Sequence, residues 1–354
     1  MAQRFRAAIG ALVAVTVVVF MATIPVGAQT SSNSKTTTAK TWTVPRTADG
    51  HPDISGVWAH NSATPLERPK ELADRNFLTE DEVASLKKNA GELFNGDTDA
   101  AFGDSVFLAA LRSAKGGAKE FTSTDTTGNY NHFWLVDREF DNRTSLIADP
   151  PDGRIPALTP EAQQRRAAAA EHRKLHPFDG PEDIALSERC ITGSVPMFGA
   201  GYNNYYQIVQ SPGYVAVDME MRHDIRMIPT DGRPHVSPNI GLWLGDPRGR
   251  WEADTLVVDS TNFLGKADFR VAGDENMHLT ERFTRVAADT LKYEVRIEDS
   301  TTYTKPWTAV LYMKRSKDQI YEYACHEGNE AMVGTLHGER VLEEKKAAAG
   351  VASK

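Results

Sequence analysis

From Asn203 onward, apolar and polar residues alternate with a period of two, and this alternation constrains the fold more than any other feature of the sequence. Such a period places successive side chains on opposite faces of a β-strand. Turn-forming residues such as Ser211-Pro212-Gly213 and Asp231-Gly232 separate the alternating segments. The pattern predicts eight strands: Asn204 to Gln210, Tyr214 to Met221, Asp224 to Ile228, Thr255 to Asp259, His278 to Arg285, Thr290 to Glu298, Thr308 to Arg315 and Ile320 to His326.

A succession of strands joined by short turns is typical of an antiparallel meander, and about eight strands suffice to close a barrel. We therefore predict a mainly β (α+β) fold in which residues 201–340 form an antiparallel β-barrel, lipocalin-like by analogy of fold alone. A sandwich of two sheets is the alternative that the sequence leaves open. Residues 42–200 are predicted to be a loop-rich region with helices that packs on the barrel, and residues 341–354 a flexible tail.

Helix-start signals occur in the region before the barrel. Thr79 and Glu82 have the spacing of a capping box, and Thr159 is followed by Pro160, the pair expected at the start of a helix. These signals predict helices over residues 80–94 and from 160 to about 177, and a short third helix is predicted over residues 181–189.

The N-terminus has the three parts of a secretory signal in their usual order. Arg4 and Arg6 precede an apolar run over residues 7–26, and small residues follow it. We predict that residues 1–28 are a cleaved signal peptide and that residues 29–41 are a disordered linker rich in serine and threonine. A membrane anchor is the alternative, because about 20 apolar residues can span a bilayer. The glycine, threonine and proline within the run favour cleavage.

The predicted signal peptide implies a periplasmic or secreted protein. The net charge of the chain disfavours some classes of binding partner. The chain has 40 Lys and Arg against 48 Asp and Glu, a net charge of −8, which disfavours nucleic acid and anionic membrane surfaces. We expect a small organic ligand or substrate, no nucleic acid, and no membrane contact after signal cleavage. The sequence does not predict an oligomeric state.

The two cysteines, Cys190 and Cys325, both lie in the part predicted to be exported, where a disulfide can form. Two buried free thiols are the alternative. A zinc site is less favoured, because two distant cysteines without a CxxC pair are poor ligands. The sequence also lacks GxSxG, HExxH, P-loop, dinucleotide-binding and CxxCH motifs, so no metal and no cofactor is predicted.

Glu281 is the polar residue that most disturbs the alternation. It falls between Leu279 and Phe283 on the apolar face of its strand. A buried carboxylate is costly unless it is paired or protonated. Glu281 is therefore either half of a structural ion pair, with Arg226 or Arg189 as the partner, or a catalytic group with a shifted pKa.

Further candidate residues lie at the ends of strands. A hairpin would bring Glu220 and His223 near Arg226, which combines an acid–base pair with a group that could hold an anion. The alternative is a solvent-exposed charged cluster. Predicted substrate-binding residues at the barrel mouth and at the Cys190–Cys325 junction are Arg226, Asn204, Tyr206, Arg189, His326 and Glu327.

These residues predict an exported β-barrel that binds a small molecule. As an enzyme it would be a cofactor-independent lyase, isomerase or hydrolase, with Glu220, His223 and Glu281 moving protons. The alternatives are a non-catalytic ligand-binding protein and an envelope structural or interaction module.

Six blocks of the sequence together resemble a family of uncharacterised exported bacterial proteins. This resemblance covers nearly the whole chain after the signal and implies export and a shared architecture, with no catalytic residues to transfer. The blocks are GHPDISGVWAHNSATPLERPKELA, RTSLIADPPDGRIPALTPEA, SERCITGSVP, GYNNYYQIVQSPGYVAVDMEMRHDIRMIP, GRWEADTLVVDSTNF and YEYACHEGN.

Overall fold

Strands dominate the described part of the chain. A computed structural model describes residues 42–95, 98–101, 103–117, 121, 131–135, 137–192, 195–198, 201–265, 273 and 275–352. The predicted signal peptide (1–28) and linker (29–41) lie outside these ranges. The strands are β1 (Gly56–Ala59), β2 (Ile147–Asp149), β3 (Tyr205–Ser211), β4 (Tyr214–Met219), β5 (Asp224–Pro229), β6 (Asp246–Glu252), β7 (Thr255–Thr261), β8 (His278–Ala287), β9 (Thr290–Glu298) and β10 (Trp307–Ser316). The α-helices are α1 (Glu80–Leu93), α2 (Ser105–Ala114), α3 (Pro160–Leu175) and α4 (Glu330–Ala352).

The strands form one antiparallel sheet that curls into a nearly closed barrel. Hydrogen-bonded neighbours follow the order β5-β4-β3-β1-β10-β9-β8-β7-β6, and β2 pairs separately with β10. The two end strands, β5 and β6, also approach each other. Gly249 permits this approach, because a Cβ at this position would lie 2.9 Å from Cγ2 of Ile228. The predicted mainly β, barrel-like fold is confirmed.

Seven of the eight predicted strands are present, and their ends lie within two residues of the predicted ones. The eighth, Ile320 to His326, is wrong. This segment is a largely exposed loop that contains Cys325 of the disulfide, and it pairs with no strand of the sheet.

Three strands, β1, β2 and β6, were not predicted. β6 contains Pro247 and Gly249, two residues that disfavour a strand, yet it pairs residue by residue with β7. β1 comes from the N-terminal region and lies between β3 and β10, with Trp58 opposite both Tyr206 and Arg315.

The barrel interior is filled with side chains. Inward residues alternate along each strand, as in Leu291, Tyr293 and Val295 of β9, and they are fully buried. Trp58 and Trp307 are the largest of these buried side chains. A second, smaller core lies between α1 and α2 and includes other residues of the N-terminal region.

The predicted capping signals position the helices. The Thr79 side chain accepts a hydrogen bond from Glu82 N and the Glu82 carboxylate accepts one from Thr79 N, which confirms the capping box of α1. Thr159 caps α3, whose first residue is Pro160.

The predicted helix over residues 181–189 is reduced to a 3₁₀ turn, Pro181–Asp183, followed by further turns. A helix of nine residues is marginal without packing, and Cys190 at its end has a positive φ of 59°. α4 includes residues 341–352, which the sequence assigned to a flexible tail. Within the described ranges, no helix combines the length and apolar character that a bilayer crossing requires.

The predicted disulfide between Cys190 and Cys325 is present, with 5.7 Å between the two Cα atoms. It connects the segment before β3 to the segment after β10.

Candidate functional site

A buried ion pair crosses the barrel interior. Arg226 of β5 donates two hydrogen bonds to the Glu281 carboxylate of β8, at 2.9 Å and 2.5 Å. The Tyr293 hydroxyl donates a third to Glu281 Oε1 at 2.8 Å, and Arg226 Nη2 also contacts the Ser260 hydroxyl at 3.3 Å. Both charged side chains are almost wholly buried. The carboxylate is therefore surrounded by donors within a filled core.

The electrostatics of this cluster favour the charged pair. Burial disfavours the charged guanidinium, but the negative charge and hydrogen bonds of Glu281 outweigh it and raise the pKa of Arg226. Burial, followed by the negative charge of Glu281, raises the pKa of Tyr293 well above its usual value. Of the two interpretations of Glu281, the geometry matches the structural ion pair, and the partner is Arg226 rather than Arg189.

Glu220, His223 and Arg226 lie close in sequence but face different surroundings. Glu220 is buried, and its carboxylate accepts a hydrogen bond from Tyr205 N at 3.3 Å. Burial raises the pKa of Glu220. His223 is exposed, whereas Arg226 faces the barrel interior. The β4–β5 connection is a tight 3₁₀ turn with positive φ at Arg222 and His223, which separates these side chains.

Asn204 and Tyr206 are buried packing residues rather than the rim of an open mouth. Asn204 O accepts a hydrogen bond from His60 N at 3.1 Å. His60 in turn lines a small cavity of about 20 Å³, together with Asp104 and Arg138. A cavity of this size holds about one water molecule.

The disulfide places the segment with Arg189 beside the segment with His326 and Glu327. His326 and Glu327 are exposed, and Arg189 is half-buried. Asn329 strengthens the junction, because its amide donates to Glu188 O at 2.7 Å. The junction is thus a surface cross-link.

A cleft of about 500 Å³ lies on the outer side of the barrel, and its volume falls in the usual range for ligand sites. Its floor includes the outward side of β10, and its wall is the segment 139–143. Backbone bridges from Glu139 to Ser62 and from Arg143 to Phe77 hold this wall in place. The cleft is lined by Ser62, Phe77, Glu139, Phe140, Asp141, Asn142, Arg143, Thr290, Tyr312 and Lys314.

Aromatic rings provide the apolar part of the cleft. Phe77 is 60% exposed and Tyr312 is 40% exposed, so both rings are accessible to a bound molecule. Arg143 lies over the Tyr312 ring at 5.1 Å, and its Nη1 donates to Val310 O at 2.6 Å. The ring of Tyr312 is therefore held in a fixed place on the cleft floor.

Most of the charged side chains that line the cleft are paired. Arg143 pairs with Asp141 at 2.9 Å, and Lys314 lies 3.7 Å from Asp289 and donates to the Thr290 hydroxyl. Glu139 has no such ion pair within the described ranges. The cleft therefore offers aromatic surface, hydroxyl and amide groups, and one carboxylate without a counter-ion.

The sequence reasoning did not single out Phe77, Arg143 or Tyr312. A signal was available for one of them, because Tyr312 stands on the outward face of a strand whose inward residues are Leu311 and Met313. An aromatic residue on the polar side of an alternating strand indicates a surface contact. Phe77 and Arg143 lie in irregular segments whose facing the pattern does not predict.

A smaller cleft of about 220 Å³ lies between α1 and the segment around His132, and it shares Arg138 and Phe140 with the cavities described above. His132 stacks on Phe94 with 5.2 Å between ring centroids. Burial lowers the pKa of His132.

A histidine cluster on the outer face of the barrel was also missed. His235 contacts Asp246 at 3.0 Å with one ring nitrogen and Asp259 at 3.1 Å with the other. The second oxygen of Asp259 contacts His278 at 2.6 Å. The cluster fastens the β5–β6 loop to the sheet. In the described part of the chain, no group of three or more His, Cys, Asp or Glu side chains could hold a metal ion.

Fold and clefts together define a mainly β protein with a nearly closed, side-chain-filled barrel and a ligand-sized cleft on its outer surface. Neither the protein-family models nor the curated proteins contain a match to the chain.

Proposed function

We propose that the chain is an exported binding protein that takes a small organic molecule into the outer cleft between the 139–143 segment and β10. The observation that carries the proposal is the cleft itself, about 500 Å³ with Phe77 and Tyr312 exposed along it. Ligand sites typically combine such a volume with aromatic walls and a few fixed polar groups.

Binding without chemistry is the version of this function that the contacts favour. Glu281 is neutralised by Arg226 in the filled core, and His223 is exposed at the β4–β5 turn. A general base needs hydrogen-bond reach to a bound substrate. The predicted proton-transfer groups do not line the cleft.

The lining indicates a neutral or weakly basic ligand with a ring or another flat apolar part. The ring would lie against Phe77 and Tyr312, whereas the Asn142 amide and the Thr290 hydroxyl would bind polar substituents. The charges nearest these rings, Arg143 and Asp141, are already paired, so a strongly anionic ligand gains little here.

Export is supported by the N-terminal pattern of residues 1–28 and by the Cys190–Cys325 disulfide, which is typical of oxidising compartments. The resemblance to exported bacterial proteins points in the same direction. Sequencing the N-terminus of protein recovered from a periplasmic fraction tests this part, with Gln29 as the expected first residue.

Saturation-transfer NMR with a fragment library of neutral aromatic compounds tests the binding part. Fragments should bind the wild-type chain, and Phe77→Ala combined with Tyr312→Ala should weaken them about tenfold, as truncation of aromatic anchors does. Tyr321→Ala is the matched control, since Tyr321 is 70% exposed and does not line the cleft. The proposal is wrong if no fragment binds, or if the double variant binds as tightly as wild type. Either result favours the structural or interaction module.

A further inference from the structure

Two arginines end the inward-facing rows of β8 and β10 at the same end of the barrel. Along β8 the inward residues are Leu279, Glu281, Phe283 and then Arg285, and Arg315 follows Met313 in the same way on β10. β8 and β10 run parallel to each other because both pair antiparallel with β9. The last inward position of each strand is therefore a guanidinium rather than an apolar side chain.

Both guanidinium groups lie against one buried ring. The Cζ atoms of Arg285 and Arg315 are 5.7 Å and 5.8 Å from the centroid of Trp58. Trp58 is fully buried, and its indole nitrogen donates to Ile54 O at 2.9 Å, so the ring has a fixed position. Trp42 contacts Arg285 as well, at 5.9 Å.

Arg285 is a buried cation with few charged partners. Its side chain is 6% exposed, and it donates to two neutral carbonyls, Asp53 O at 3.0 Å and Ala288 O at 2.7 Å. The nearest carboxylate oxygen, Asp53 Oδ2, is 3.7 Å away. Arg285 Nε is buried and has no hydrogen-bond partner. Burial, followed by the positive charge of Arg315, lowers the pKa of Arg285, and Asp53 opposes this only in part.

Arg315 provides the solvent-facing half of the pair. It is exposed, and its guanidinium has neither an ion pair nor a hydrogen bond among the described residues. It lies over Gly56, where a Cβ would be 3.2 Å from its Nη2. A residue with a side chain at this position would push the guanidinium away from Trp58. This end of the barrel thus holds two guanidinium groups; the Asp53 carboxylate lies 3.7 Å from Arg285, and the Asp289 carboxylate of the β8–β9 turn pairs with Lys314.

We propose that Arg315 and Arg285 form a binding site for a small oxyanion, a carboxylate or a phosphate, at the Trp58 end of the barrel. An anion accepts hydrogen bonds from Arg315 at the surface and offsets the repulsion between the two guanidinium groups. The site is separate from the proposed ligand cleft, which lies on the outward face of β10 and includes Tyr312 and Lys314.

Thermal shift and isothermal titration with inorganic phosphate and with acetate, each against sodium chloride at matched ionic strength, test the proposal. One or both anions should raise Tm above the chloride control, and Arg315→Gln should weaken binding about tenfold or more by removing charge-assisted hydrogen bonds. Whichever anion raises Tm identifies the group that the site binds, a phosphate or a carboxylate. Trp58 and Trp42 provide an independent readout, because a bound anion should change their fluorescence.

Lys317→Gln is the matched control, because it removes an exposed charge two residues away on the same chain segment. It should bind like wild type. The Phe77→Ala and Tyr312→Ala double variant should also keep anion binding, which separates this site from the cleft. The proposal is overturned if neither anion stabilises wild type beyond chloride, or if Arg315→Gln binds as wild type does.

Discussion

The Arg226–Glu281 pair connects two strands that are far apart in the sheet order. Arg226 is on β5 at one end of the order and Glu281 is on β8, so the bond crosses the barrel interior. Ser260 and Tyr293 complete the polar cluster. Because both charged side chains are almost wholly buried, each charge depends on the other to remain in the core.

Replacing Glu281 with Gln should therefore destabilise the protein by about 3–5 kcal/mol, because it leaves the Arg226 charge buried and uncompensated. Replacing both residues, Arg226→Met with Glu281→Leu, should return stability to within about 1 kcal/mol of wild type or above it. Urea unfolding followed by tryptophan fluorescence measures both. A double variant as unstable as the single one would contradict mutual neutralisation.

The alternation of apolar and polar residues predicted that Glu281 is buried, but it did not predict all of the groups that contact it. The position of Glu281 between Leu279 and Phe283 predicted burial, and Arg226 was one of two named partners. The Tyr293 hydroxyl was not foreseen, because a tyrosine on an apolar face reads as an ordinary core residue. Glu220 and His223 were expected to meet, but the positive φ values of the turn cannot be read from non-glycine residues.

Helix α1 begins at the predicted residue and ends one residue before the predicted end. The capping box joins Thr79 and Glu82, and Arg75 adds an ion pair to the Glu82 carboxylate. The hydrogen bond from Arg75, followed by the one from Thr79 N, lowers the pKa of Glu82 to about 2.

The stability of α1 should consequently depend on pH. A carboxylate with a lowered folded-state pKa stabilises the fold above its unfolded value of about 4.3, and this contribution is lost as pH falls towards about 2. Hydrogen exchange of α1 amides should show the loss, and Glu82→Gln should flatten the pH dependence. The effect should be modest and weaker in high salt, because the pair is largely exposed.

Thr79→Ala should cost about 1 kcal/mol at neutral pH, whereas Thr79→Ser keeps the capping oxygen and is the control. Equal exchange rates in wild type and Thr79→Ala would mean that the cap does not limit opening of α1.

Strand prediction succeeded where both faces of a strand differ in polarity and failed where they do not. β9 separates its faces cleanly, with Leu291 and Tyr293 inward and Lys292 outward. β6 does not, because its inward residue Gly249 has no apolar side chain. The close approach of β5 to β6 leaves no space for a side chain at this position. β1 is only four residues long, too short for a period of two to stand out.

For the molecule as a whole, the disulfide closes a loop that contains every strand from β3 to β10. The two cysteines are 135 residues apart. In the chain-entropy model, closing such a loop stabilises the folded state by up to about 5 kcal/mol.

Cys190→Ser combined with Cys325→Ser should lower Tm and the free energy of unfolding accordingly. Dithiothreitol should shift wild type towards the variant and leave the variant unchanged, which is the control for side effects of the reductant. Indistinguishable unfolding curves for reduced and oxidised wild type would show that the cross-link does not constrain the unfolded chain.

The position of β1 determines when the barrel can close during synthesis of the chain. Val57 pairs with Gln207 of β3 on one side and with Ser316 of β10 on the other. β1, the earliest of the described strands in the chain, can therefore complete its pairing only after β10, the latest, has been synthesised. The barrel cannot close before β10 has emerged. A protease that trims the chain past Ala59 would separate β3 from β10 and expose two unpaired edges, and such edges recruit strands from other chains. β1 therefore closes the barrel, and its loss is expected to leave sheet edges that favour aggregation.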